Sequence, residues 1–355
     1  MAVSHGDGQQ QAVMNSSPQN TGSNSNSTPS QPSLQQTMQP QLRRVGGSRY
    51  DDLPIDPRGY GAIDREQVYI PTFESACQHG PLSTVQSIVS ETPLQPRTRS
   101  FLHRGLAVAL EAGNIDIARY LLSVGAPIVR LTPNNILRAP SDQQIPLFEL
   151  LLQHGWTVNT PGFYGRVLLP HVIDKPHLLH WFLLHGANPN LGEQRDVRDR
   201  TGGPDTDSCV ALERAASQGN LAAVRLLLDA GAEIQNGLPL HYAAGTCPPG
   251  MHPHAVRVTP SKEFDESRIP VMALLVERGA DVNKEEVSRH MVAKYAIVHA
   301  VMAGAVERVR WLLEHGADPE LKGAYDSALR YATLMGSEEM KSVFDEWMRA
   351  KKVGE

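Results

Sequence analysis

Cysteine, aromatic residues and long apolar runs are all scarce in this 355-residue sequence. Only Cys77, Cys209 and Cys247 are present, an odd number without framework spacing. A disulfide scaffold is thereby excluded and a reducing compartment expected. No window approaches the roughly 18 consecutive apolar residues that a membrane-spanning helix needs. The opening Met-Ala-Val-Ser-His-Gly has no basic stretch followed by an apolar one, Ala2 does not fit a myristoylation signal, and Lys351-Lys352-Val353-Gly354-Glu355 is no prenylation box. The expectation is an unanchored intracellular protein of cytoplasm or nucleus. A formal charge of -5 is small and evenly spread, which argues against nucleic acid or a membrane surface as partner. Catalytic signatures are missing as well: no phosphate-binding glycine-lysine loop, no nucleophile elbow and no H-E-x-x-H zinc helix.

What is present divides the chain. Residues 1–48 are built of Gln, Ser, Asn, Pro and Gly, too poor in apolar groups to offset about 1 to 2 kcal/mol of backbone entropy per residue, and read as a disordered tail. Residues 49–67 regain Tyr and Ile and read as a linker or N-terminal cap. From residue 68 to 348 one glycine-anchored pattern recurs. Seven residues before Gly80, Gly113, Gly219, Gly304 and Gly336 stand Phe73, Leu106, Leu212, Ile297 and Leu329; four before stand Ala76, Ala109, Ala215, Ala300 and Ala332. This spacing predicts a short amphipathic helix that stops where a left-handed residue is wanted, with the constant alanine at a close helix contact.

A second helix follows three of these, after Gly113, Gly219 and Gly304, apolar at seven, four and three residues before another glycine, as in Val224, Leu227 and Leu228 before Gly231, and the same pattern precedes Gly155, Gly186 and Gly279. Gly125, Gly186, Gly231, Gly279 and Gly316 are each followed by Ala, and Gly155 by Trp156. With Pro239-Leu240-His241-Tyr242-Ala243 and the turns Gly186-Ala187-Asn188-Pro189-Asn190 and Gly279-Ala280-Asp281-Val282-Asn283, the pattern resembles the ankyrin repeat. The resemblance implies an all-α solenoid of about eight degenerate helix-turn-helix units, residues 349–355 forming a tail. It also implies that His241 bonds backbone near a turn.

Departures from the pattern cluster in the middle. Leu238 replaces a threonine, Pro146, Pro170 and Pro176 interrupt two units whose first helices are hard to recognise, and the turn glycines spread from 30 and 31 residues apart to 45, 48 and 37. The excess is expected to leave the stack as loops, chiefly at 191–206 and 245–268, and such insertions often lie on a binding face.

Candidate chemistry is sparse. His241, Cys247, His252 and His254 carry zinc-ligand atoms, but their spacing matches no common zinc framework, and they read as structural residues and a floppy loop. Cys77 reads as core packing. Glu307, Arg308 and Arg310 read as a solvated outer face. Neither a catalytic residue nor a cofactor is called for. The first-helix positions facing away from the core carry Tyr242, His299, Met302, Tyr331, Leu334 and Met335, a stripe of the residue types enriched in interface cores. The function expected is that of a scaffold, adaptor or inhibitor, acting as a monomer and binding one or more proteins through this face and the insertions. Two alternatives stay open: enzymatic or metal-dependent activity hosted in the insertions, and a substrate-recognition subunit of a ubiquitin ligase.

Overall fold

The structure, a computed structural model, describes residues 69–91, 98–197, 199–253, 257–287, 292–324 and 326–354. The expected disordered tail at 1–48 and the linker or cap at 49–67 lie outside the described residues. Among those described, fourteen of fifteen α-helices and two 3-10 segments form eight successive two-element units, with one two-stranded hairpin, Lys322–Gly323 pairing antiparallel with Asp326–Ser327. The first unit is α1 (Tyr69–His79) with α2 (Leu82–Glu91) and the second α3 (Thr98–Ala112) with α4 (Ile115–Ser123). The fifth is α7 (Val210–Gln218) with α8 (Leu221–Asp229), and the sixth α9 (Pro239–Gly245) with α11 (Ile269–Glu277). The last two are α12 (Ala296–Met302) with α13 (Val306–Glu314), and α14 (Ala328–Met335) with α15 (Glu338–Gly354). This is the ankyrin-type stack that the pattern implies. Its last helix runs on through the stretch expected to be a tail, as far as Gly354.

First helices pack on first helices, α7 on α9, α9 on α12 and α12 on α14, and the constant alanines are all buried there. A larger side chain at those positions would push neighbouring units apart. All six second-helix glycines, Gly125 to Gly316, take positive φ between 79° and 98°, so the chain can reverse at no steric cost. The first-helix glycines do so less uniformly: Gly336 has φ -69°, and Gly80 is also outside the left-handed region.

The two central units answer the absence of recognisable first helices in an unexpected way. Each replaces the first helix by a 3-10 segment, Thr132–Arg138 and Leu169–His171, ahead of α5 (Ser141–Gln153) and α6 (Pro176–Leu184). Pro176 begins α6, where its missing N–H is harmless, so it does not interrupt that unit; Pro146 does lie inside α5. The second helices of these units, α5 and α6, meet through a cluster of rings. Phe148 stands 5.4 Å from Trp156, 5.7 Å from Trp181 and 5.1 Å edge-on from Phe182, all four buried. Trp156 occupies the slot that is alanine elsewhere. Deleting one such ring would cost about 3 to 5 kcal/mol, several times what a single turn hydrogen bond contributes.

A bridge of side-chain amides joins successive turns. Asn159 donates to the carbonyl of Gly186 at 2.8 Å and accepts from the amide of Asn188 at 2.9 Å. Asn190 does the same to Gly231 and Glu233, both at 2.9 Å, and Asn283 to Gly316 at 2.9 Å and Asp318 at 2.8 Å. Gln235 supplies a weaker step, to Gly279 at 3.2 Å. Each of these residues follows its own turn glycine by four. The two-sided bridge therefore spans the first insertion as it spans uninterrupted turns, while the second is spanned by the Gln235 donation.

The insertions do not simply leave the stack. Within the second, α10 (Lys262–Glu266) packs on both α11 and α13, and Ser261 caps it by accepting the Phe264 amide at 3.2 Å. Arg308, expected on the solvated face, is 0% exposed instead. Its Nε bonds Asp265 at 2.6 Å, and its Nη1 donates to the carbonyls of Ala243, Ala244 and Thr246 at 3.0, 2.7 and 2.9 Å. Asp265 also accepts the Glu307 amide at 2.7 Å. One guanidinium thus closes the end of α9 and ties α10 to α13. Charge-pattern reading could not find this, because an arginine among charged neighbours on a helix normally faces water.

Breaking a buried pair by removing one partner costs about 3 to 5 kcal/mol. Asp265→Ala is expected to lower unfolding stability by that amount in urea titration and to open the 245–268 segment to limited proteolysis. Lys262→Ala, on an exposed ion pair to Glu307 at 3.7 Å, should do neither.

Candidate functional site

Of the six residues of the apolar stripe, three gather at one hollow. Met302, Tyr331 and Met335 line a single hollow of about 350 Å3 between α12, α14 and the second insertion. Tyr242 is 50% exposed on α9 and does not line it, and Leu334, 62% exposed, stands beside it on the surface. His299 is half-buried, its Cβ crowding Gly245 and its imidazole 5.6 Å edge-on from that of His241, with Nε2 3.5 Å from a Glu286 oxygen. It belongs to the contact between α9 and α12.

The opposite wall of the hollow comes from residues that periodicity did not nominate. Val258 and Pro260 of the insertion and Met340 of α15 also line it, and Val258 is buried. Gly304, at φ +66°, lets the Val258 carbonyl come so close that a β-carbon there would collide with it. No sequence signal singles them out, since Met251, Val256 and Phe264 of the same insertion are apolar as well. Lys262 and Glu307 stand at the rim, 3.7 Å apart. The hollow thus combines apolar side chains with polar ones, Arg257, Asp265 and Glu339 among them, and Met335 is still 62% exposed.

The other singled-out residues are structural in their surroundings. His241 Nε2 donates to the carbonyl of Lys294 at 2.9 Å, as the resemblance implies. In α7 the equivalent position is Glu213, which accepts the Leu238 amide at 2.8 Å, so both side chains latch their unit to the next turn. Burial raises the Glu213 carboxyl above its ordinary range, the Leu238 bond opposing. Among the described residues no three His, Cys, Asp or Glu side chains stand where they could share a metal ion. His254 lies outside the described residues.

The thiols are free. Burial, with Glu74 adding to it, pushes Cys77 up to about 12, and burial with Glu213 does the same to Cys209. Cys247, half-buried, is raised by burial against the opposing charge of Arg308. Thiols so placed are packing groups, as expected for Cys77.

No family model and no curated protein matches the chain. Among solved structures it is similar to the ankyrin repeat domain of Bcl-3, described as a unique member of the IkappaB protein family, at 19% identity over 69% of this chain and 84% of that one, with a TM-score of 0.40. It is also similar to the human ASB11 ankyrin repeat domain at 16% identity over 77% and 96%, with a TM-score of 0.35. These likenesses concern the fold alone.

Two histidines make stability depend on acid. Burial lowers His241 and His103 from 6.5 to about 4, the Lys294 bond opposing this at His241. The unfolded chain binds these protons first, so the stabilisation is complete above about 6.5 and is lost as pH falls towards 4. Urea midpoints measured between pH 7 and pH 4 are expected to fall, and His241→Gln, which can still donate to Lys294, should flatten the slope.

Proposed function

We propose that this protein is a protein-interaction module, a scaffold, adaptor or inhibitor that binds another protein without catalysing a reaction. The observation that carries the reading is the hollow between α12 and α14. There Met302, Tyr331 and Met335 stand against insertion residues already fixed by Arg308 and Asp265. The occupant that fits is a protein segment offering an apolar anchor side chain with polar groups beside it, which would meet Lys262 and Glu307 at the rim. Methionine and tyrosine suit this work, since one adapts its shape and the other adds area at little entropic cost.

The absence of catalysis is supported by what the reactive side chains already do. Cys77 and Cys209 are held as neutral thiols, and His241 is committed to a backbone carbonyl. Three free cysteines suit a reducing compartment, hence an intracellular protein in cytoplasm or nucleus. The binding unit in this reading is a single copy of the chain.

The test compares the wild-type chain with Tyr331→Ala/Met335→Ala and with Tyr242→Ala as bait in native extract, each captured protein then being purified for direct titration. The paired variant is expected to weaken binding by about 2 kcal/mol or more while the melting temperature changes little. Tyr242→Ala should matter less, because Tyr242 is outside the hollow. Equal loss of stability and binding would make Tyr331 and Met335 structural closers of the array and overturn the proposal.

A further inference from the structure

A second hollow, of about 480 Å3, opens where the third and fourth units meet the insertion that follows Leu191. Arg130, Arg166, Arg200 and His171 line it, and none of its lining residues is acidic, in a chain whose formal charge is -5. Its parts come from three separate stretches of sequence, which is why no local motif announces it. Arg130 is buried and fastens them: its guanidinium donates to the carbonyls of Pro161 at 3.3 Å, Gly162 at 3.1 Å and Thr201 at 2.8 Å.

The insertion is what completes the hollow. The Tyr164 amide donates to the Arg200 carbonyl at 2.9 Å, the Gln194 amide donates to the Tyr164 carbonyl at 2.9 Å, and the Arg200 guanidinium lies 4.2 Å above the Phe163 ring. Tyr164 is held at φ 56°, ψ 29°, a left-handed conformation that costs a non-glycine residue free energy and persists because these bonds fix it. Arg166 is exposed and pairs with Glu193 at 2.8 Å, a surface contact weak enough for an incoming anion to replace. Burial, then the charges of Arg214 and Arg166, hold His171 below its ordinary value despite Glu193, as expected in positive surroundings.

We propose that this hollow receives an anionic side chain of a partner protein, a phosphorylated or carboxylate-bearing residue. Arg166 and Arg200 are its ligands, and Leu131 and Val167 lie along its apolar stem. Guanidinium groups match phosphate and carboxylate oxygens in geometry as well as charge, and Arg200 over Phe163 has lost freedom before the ligand arrives. This gives the first insertion a task of its own, separate from the α12–α14 face, so failure of either reading leaves the other standing.

The full chain would be titrated calorimetrically with phenyl phosphate, phenylacetate and inorganic phosphate. Variants would be Arg166→Gln/Arg200→Gln and, as a charge-matched control on an exposed position of α8, Arg225→Gln. Saturable binding of either aromatic probe is expected, weakened about tenfold or more in the paired variant and little in the control, with the melting temperature of both retained. Preference for phenyl phosphate would identify the natural ligand as a phosphorylated residue, and parity with phenylacetate as a carboxylate. Inorganic phosphate binding as tightly as phenyl phosphate would indicate an adventitious ion only and overturn the proposal. So would equal losses in paired variant and control, or no saturable binding by either aromatic probe.

Discussion

The array depends on adjacent turns being tied at a fixed register, and the tie is a carboxamide that reaches from one turn into the next. Asn159, Asn190 and Asn283 each satisfy a glycine carbonyl and an amide of the following turn, groups that the helix ends leave without an internal partner. Packing then follows from this placement. With the turns aligned, the alanines of successive first helices come into contact and the leucines of second helices close the layer behind them. Since only the turns are matched, the residues between them can be few or many. The chain uses that freedom twice, at 191–206 and at 245–268.

Both insertions return to the stack and each is fastened by one buried arginine. Arg308 ties α10 to α9 and α13, while Arg130 ties Thr201 to the turn around Gly162. In both cases most of the bonds go to backbone carbonyls, which stabilise a buried guanidinium without adding a second charge that must itself be desolvated. The two hollows lie beside these fastenings. One mixes methionine and tyrosine with charges of both signs and the other is basic, so they suit different chemistry on a partner's surface.

Much of the fold was legible in the sequence, because glycine and alanine recur at positions that only close-packed helix pairs require. The second helices and their turns appear where periodicity places them, and His241 makes the backbone bond that its position implies. What stayed hidden depends on distance in sequence. Arg308 and Asp265 are far apart along the chain, and nothing local distinguishes a buried arginine from its half-buried neighbours Glu307 and Arg310. The ring cluster around Phe148 was equally silent, since its members come from two units and meet only once Trp156 is seen beside Phe182. Of the candidate stripe, three residues share one hollow. Helical phase tells which way a side chain points and not which wall stands opposite.

The 245–268 segment is pinned near its end by Asp265 and set against Gly304 at Val258, which gives the hollow beside it a kinetic character. Its ordering entropy is lost when the chain folds, so an arriving partner meets a finished surface and need not wait for a loop to settle. Association there will be governed by orientation and charge. Differences between good and poor ligands will accordingly appear in how long each stays.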